Sequence, residues 1–76
     1  MFQDVEYIIN RVYEIYRGVF EDITFRTEIH ERTYTLHIYI EGYKKNWSFF
    51  YEIDKEVNNI AEIINKIVEE ISNRTN

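Results

Sequence analysis

The chain contains no cysteine and no proline, and its two glycines stand alone at positions 18 and 42. Without cysteine there is no disulfide framework, no thiolate metal site and no cysteine nucleophile, which fits a reducing compartment such as the cytoplasm. Isolated glycines exclude a glycine-rich phosphate loop, and neither Ser48 nor Ser72 has the glycine neighbours of a nucleophile elbow. We therefore expect no cofactor and no enzymatic activity.

Long apolar runs and an excess of basic residues are also missing. No segment approaches the ~18 apolar residues of a membrane-spanning helix, and the first residues do not read as a signal peptide. Fourteen Asp and Glu stand against nine Lys and Arg, for a net charge of −5. Phosphate binding needs Lys and Arg, so the charge predicts a basic protein partner rather than nucleic acid or a membrane.

Apolar and aromatic side chains are abundant instead, at 45% and 17% of the 76 residues. A chain of this length buries roughly 60% of its unfolded surface, which suffices for one modest core. We found no linker, repeat or low-complexity segment, so residues 1–76 are predicted to form a single domain.

The apolar residues change period along the chain. Residues 4–17 follow a helical period and end before Gly18, a common position for a left-handed residue after a helix. Residues 21–29, 33–41 and 46–53 alternate apolar and polar side chains, as half-buried strands do. Residues 55–72 return to the helical period, with Asp54 as the expected N-cap, and the residues from Ser72 onward are expected to fray.

This order predicts an α+β fold: a helix, a three-stranded antiparallel meander and a second helix, with both helices on one face of the sheet. In the first helix the apolar stripe comprises Phe2, Val5, Ile8, Ile9, Val12, Tyr13, Tyr16 and Val19. In the second it comprises Val57, Ile60, Ala61, Ile64, Ile67, Val68 and Ile71, with Ile63 at its margin.

The other face of the sheet is the candidate binding surface. Matching the apolar residues across both hairpins places Ile29 opposite Tyr34 and Leu36 opposite Tyr51. The outward side chains then have an aromatic and basic centre between acidic ends. An ordinary solvated face is one interpretation. The other is a docking face with Tyr39 and Phe50 as anchors, Tyr43 as a further contact, and an acidic rim. The rim comprises Glu21, Asp22, Glu28, Glu41 and Glu52.

Catalytic and metal-binding interpretations are weaker. His37 is expected on the open face, where a flat meander offers no pocket for a general base, and His30 is expected in a turn. Asp22 and Glu41 are expected side by side, but a solvated acid pair is the simpler interpretation. The sequence therefore predicts no catalytic residue and no metal ligand.

The third predicted strand, residues 46–53, forms an edge of the meander. It is aromatic and carries one charge, and such edges tend to pair with another chain unless lysines such as Lys44 and Lys45 blunt them. We therefore consider strand addition by a partner, or a homodimer through this strand, an open possibility.

The predicted order of elements resembles that of double-stranded RNA-binding domains. In that family a lysine cluster opens the second helix and contacts RNA. The corresponding segment here, residues 54–59, reads Asp-Lys-Glu-Val-Asn-Asn, with one lysine between two acids. The resemblance therefore covers the topology, and RNA binding is not expected.

The small size, the acidity, the absence of Cys and Pro, and the Ile/Asn/Lys/Glu-rich composition resemble small phage proteins that block host defence, including anti-CRISPR proteins that imitate nucleic acid. The resemblance implies that the acidic rim stands in for phosphates in a cationic channel of a target protein. An immunity protein or antitoxin that caps an enzyme, and a structural module that pairs through the third strand, are the alternatives.

Overall fold

The structure is a computed structural model that describes residues 2–56 and 59–75, and for Phe2 and Gln3 the backbone alone. The predicted order of elements is confirmed, and the fold is α+β. The elements are α1 (Phe2–Tyr16), β1 (Asp22–Ile29), β2 (Thr33–Glu41), β3 (Asn46–Asp54) and α2 (Ile60–Thr75). No described helix is long and apolar enough to cross a lipid bilayer.

The three strands form one antiparallel sheet in the order β1-β2-β3. The predicted register is confirmed, because Ile29 faces Tyr34 and Leu36 faces Tyr51. Side chains on one face alternate with those on the other along each strand, so this register fixes which residues share a face.

One core cluster lies between the sheet and the two helices. It joins inward residues of all three strands with apolar residues of α1 and α2, so both helices cover the same face. Its fully or nearly buried members are Val5, Ile8, Val12, Tyr16, Ile23, Tyr34, Leu36, Ile38, Ile40, Phe49, Ile53, Ile63, Ile67 and Ile71. Each such aliphatic side chain stabilises the fold by about 1.5–3 kcal/mol relative to an exposed position, which makes this layer the main source of stability.

The end of α1 follows the prediction. Gly18 has a φ of +84°, a left-handed conformation in which a side chain would be strained. Just before it, the Tyr16 hydroxyl donates to the Val68 carbonyl at 3.1 Å and lies 3.2 Å from Ser72 Oγ. Tyr16 therefore ties the last turn of α1 to α2.

The predicted start of the second helix was wrong. Asp54 is the last residue of β3, opposite Thr33, and its carboxylate accepts from the Glu56 backbone N–H at 2.8 Å. The cap is Asn59, whose side-chain oxygen accepts from the Glu62 N–H at 3.0 Å. A hydrogen bond from the Lys55 N–H to the Arg32 carbonyl continues the β2–β3 ladder past Asp54. Asp54 is therefore held in strand conformation, and the helix does not begin there.

The apolar stripe of α2 is shifted from the prediction. Ile63 is buried rather than marginal, whereas Ala61 is exposed, because the buried positions recur every four residues at 63, 67 and 71. The C-terminal segment was predicted to fray from Ser72, but α2 continues to Thr75. Val57 and the side chain of Phe2, both assigned to apolar stripes, lie outside the described residues, as does Asn76.

Three further residues assigned to packed faces are exposed: Tyr13, Val19 and Ile29. Val19 follows the turn at Gly18 and so no longer shares the face of α1, and Ile29 ends an edge strand. Tyr13 belongs to α1 but is not among its buried positions, which are 5, 8, 12 and 16.

Candidate binding surface

The open face of the sheet consists of four rows of outward side chains, each row crossing β1, β2 and β3 in that order. The pairing confirms each row that follows from the predicted register. The rows are Asp22-Glu41-Asn46, Thr24-Tyr39-Ser48, Arg26-His37-Phe50 and Glu28-Thr35-Glu52. Successive rows are two residues apart, so the first and last lie about 20 Å from each other along β1.

Three rings in the two central rows form what we call the aromatic cluster: His37, Tyr39 and Phe50. The centroid of the His37 ring lies 3.9 Å from that of Tyr39 and 3.9 Å from that of Phe50. Tyr39 and Phe50 nevertheless remain 38% and 63% exposed. The predicted anchors are therefore accessible, and the histidine holds both in one cluster.

The Nε2 atom of His37 is buried and has no hydrogen-bond partner among the described residues. A buried polar atom of this kind carries a desolvation cost, since it has lost water without gaining a donor or acceptor. The rings of Tyr39 and Phe50 lie against the imidazole, each with its centroid 3.9 Å from that of His37.

Carboxylates occupy both ends of the open face, as predicted. Asp22 and Glu41 are direct cross-strand partners next to Glu21, and Glu28 and Glu52 share the row at the other end. All five side chains are exposed. None of them pairs with a Lys or Arg within the described ranges; Glu28 lies 3.6 Å from the His30 ring nitrogen.

The lysine and arginine ion pairs of the described chain are instead on the helices. They are Arg11–Glu14, Lys66–Glu62 and Arg74–Glu70. The carboxylates at the acidic ends of the sheet therefore have no lysine or arginine partner in the part of the chain that the structure describes. On the helices, by contrast, ion pairs neutralise part of the acidic charge.

Tyr43 was predicted as a contact, and the structure separates it from the aromatic cluster. It lies in the turn between β2 and β3 and is 72% exposed. This turn is closed by a bond from the Gly42 N–H to the Lys45 carbonyl. A Cβ atom at Gly42 would come within 2.8 Å of that carbonyl oxygen, so glycine is needed there.

A groove of about 470 Å³ beside Tyr43 was not expected from the sequence. Its walls come from the turn after α1, the β2–β3 turn and the end of α2. The lining residues are Val19, Phe20, Gly42, Tyr43, Lys44, Lys45, Trp47 and Thr75. The sequence features that could have indicated this groove are the apolar pair after Gly18 and the two lysines after Tyr43. Their spacing along the chain does not show that the two turns meet.

The residues weighed for catalysis do not converge. Ser48 lies beside Tyr39, in a different row from His37, and Ser72 contacts the Tyr16 hydroxyl between the helices. Within residues 2–56 and 59–75, no group of three or more His, Asp or Glu side chains is arranged to hold a metal ion. The feature that the fold assembles is the aromatic cluster between two acidic ends.

In comparisons with known proteins, no family model, no curated protein and no solved structure matched the chain.

Proposed function

We propose that this protein is a non-enzymatic binding module that uses the open face of its sheet to occupy a basic surface of a partner protein in the cytoplasm. The observation that carries the proposal is the placement of two exposed aromatic anchors between two uncompensated acidic ends. By its chemistry the favoured partner is a nucleic-acid-binding protein, whose cationic channel the carboxylates would fill as phosphates do. A phage-encoded inhibitor of host defence would work in this way.

The aromatic cluster supplies the apolar part of such an interface. Tyr39 and Phe50 are held against His37 before any partner arrives, so little side-chain entropy remains to be lost on binding. Aromatic side chains at the centre of an interface, where water is excluded, commonly carry most of the binding free energy.

The acidic ends supply the charged part. Asp22 and Glu41 are direct cross-strand partners, and like charges in that relation destabilise a sheet. A lysine or arginine of the partner placed between the two carboxylates would remove this repulsion on binding. Carboxylates at a solvent-accessible rim also speed association with a cationic surface.

The first test is affinity capture from lysate over a salt series, with the captured protein identified by mass spectrometry. Screening weakens interactions between exposed charges, so we expect capture to fall as ionic strength rises. Addition of the captured protein's nucleic acid should displace the module. Capture that is indifferent to salt would remove the electrostatic basis of the proposal.

Matched variants locate the surface. The double variant Asp22→Asn, Glu41→Gln and the single variant Phe50→Ala should each weaken capture. Glu69→Gln, which removes an exposed carboxylate on α2, should not. Loss in Glu69→Gln as well as in the double variant, with none in Phe50→Ala, would mean that net charge rather than the open face determines binding. A captured toxin enzyme, with rescue of growth on co-expression, would instead identify an immunity protein or antitoxin.

A further inference from the structure

β3 is an edge strand of nine residues, from Asn46 to Asp54. One side of it bonds to β2, and the other side faces away from the sheet. No described segment forms a backbone hydrogen bond with that outer side. The strand therefore presents a row of N–H and C=O groups that a further strand can use.

The hydrogen bonds at the two ends of the hairpin show which residues face outward. The Gly42 N–H donates to the Lys45 carbonyl, and the Lys55 N–H donates to the Arg32 carbonyl. Because hydrogen-bonded and non-bonded pairs alternate in an antiparallel ladder, odd-numbered residues of β3 bond to β2. The outward groups then belong to the even-numbered residues, Asn46, Ser48, Phe50, Glu52 and Asp54.

This edge lacks the usual defences against pairing. From Asn46 to Tyr51 it contains no charged side chain, and it has no proline. Lys44 and Lys45, which were candidates for blunting it, lie in the preceding turn. β1, the other edge, carries charges along its whole length at Asp22, Arg26 and Glu28.

We infer that β3 pairs with β3 of a second copy of this chain, antiparallel about a two-fold axis at Phe50. This register uses all five outward residues, since Asn46 faces Asp54, Ser48 faces Glu52 and Phe50 faces Phe50 of the second copy. Each such pair exchanges two N–H···O bonds. Moving the axis to another even-numbered residue leaves fewer paired residues, so the axis at Phe50 gives the longest symmetric ladder.

The side chains are self-complementary in this register. On the open face the two acidic residues, Glu52 and Asp54, meet a serine and an asparagine, so within the paired segment no like charges face each other. The two Phe50 rings meet at the axis, where cross-strand aromatic pairs stabilise a sheet. On the helix side, the half-buried Trp47 and Tyr51 meet Ile53 and Phe49 of the second copy.

The product is one sheet of six strands, with the two aromatic clusters adjacent on a continuous open face. The inference does not depend on the proposed function, because it concerns the purified chain alone. The interface consists mainly of one strand from each copy and is therefore small, so we expect association in the micromolar range.

Cysteine cross-linking tests the register directly, because the natural chain has no cysteine. Phe50→Cys places two thiols on residues whose Cα atoms lie about 5.5 Å apart, within disulfide range. Ser48→Cys by itself places its two thiols about 13 Å apart and should not cross-link. A mixture of Ser48→Cys and Glu52→Cys should give the mixed disulfide dimer, with Phe50 retained.

Thr24→Cys is the matched control, since Thr24, like Phe50, is exposed on the open face, but in β1, the other edge strand. Disulfide formation by Phe50→Cys no faster than by Thr24→Cys would overturn the inference. So would cross-linking of Ser48→Cys alone at the rate of its mixture with Glu52→Cys, because that pattern indicates collision or another register.

A charge exchange at the axis gives a second, reversible test by sedimentation and native mass spectrometry. Phe50→Lys alone and Phe50→Glu alone place like charges opposite each other, so each should sediment as a monomer. Their mixture should form a heterodimer, because the opposite charges then face each other at the axis. A natural chain that remains monomeric at about 300 µM, well above the micromolar range expected, would overturn the inference. Circular dichroism of each variant confirms that the fold is kept.

Discussion

The imidazole ring of His37 on β2 and the phenyl ring of Phe50 on β3 are direct cross-strand partners with centroids 3.9 Å apart. Phe50 is therefore both largely exposed and held in place, a combination that separates its role from that of its neighbour Phe49. Phe49 points to the other face and is 5% exposed.

Replacing these two phenylalanines by alanine should have different effects on the free energy of unfolding. Phe49→Ala leaves a cavity in the core and should cost about 3–5 kcal/mol. Phe50→Ala removes ring contacts on a solvent-facing surface and should cost about 0.5–1.5 kcal/mol. Urea unfolding at a concentration where the chain sediments as a monomer measures both. Equal losses would show that the face we describe as open is packed.

The repulsion between Asp22 and Glu41 should be visible as a gain in stability when it is removed. Glu41→Gln is expected to raise the free energy of unfolding by about 0.2–1 kcal/mol at low salt, because it ends a like-charge cross-strand pair. Glu14→Gln is the opposite control: it breaks the 2.9 Å ion pair with Arg11 and should lower stability by about 0.2–0.5 kcal/mol.

Both changes should shrink at about 1 M salt, where the Debye length falls to about 3 Å. A gain for Glu41→Gln that persists unchanged at high salt would assign the effect to something other than charge.

The cap of α2 should be found at Asn59. Asn59→Ala removes the acceptor for the Glu62 N–H and should cost about 0.5–2 kcal/mol, whereas Asn59→Asp keeps an acceptor and should be close to neutral. Helix content by circular dichroism and urea midpoints distinguish the two variants. A larger loss of helix content in Asp54→Ala than in Asn59→Ala would instead place the start of the helix at Asp54.

The contact between Tyr16 and Ser72 provides a test of how the helices are joined. Tyr16→Phe keeps the buried ring and removes a hydroxyl that donates to the Val68 carbonyl, so a loss of about 0.5–1.5 kcal/mol is expected. Ser72→Ala should cost less, because the Tyr16 hydroxyl retains the carbonyl as its acceptor. Thermal unfolding of both single variants and the double variant measures the coupling, and additive losses would show that the two groups act independently.

The sequence predicted the register of the sheet because three strands with clean alternation have few ways to match their apolar faces. Pairing Ile29 with Tyr34 and Leu36 with Tyr51 then determined every outward row. The start of α2 was missed because Asp54 and Asn59 both satisfy the chemistry of an N-cap. Asp54 does not cap the helix because the β2–β3 hydrogen-bond ladder holds it opposite Thr33 as part of the strand.

Within the candidate surface, spacing placed Tyr39 and Phe50 on one face but did not show that both contact His37. That contact depends on side-chain torsions, which the alternation of apolar and polar residues does not determine. The groove at Tyr43 was missed for a related reason. It forms where Val19 and Phe20 approach Lys44 and Lys45, and this meeting of two turns depends on how the helix layer sits on the sheet.

The link from Tyr16 to Val68 and Ser72 also has a consequence for the order of events during synthesis. The meander pairs neighbours along the chain and can form early, since its hairpin loops are short and close at little entropic cost. The helix layer is complete only when α2 reaches α1 across more than fifty residues. A nascent chain in which α2 has not yet emerged from the ribosome therefore exposes part of its apolar sheet face. We therefore expect chaperone binding or premature association during that interval.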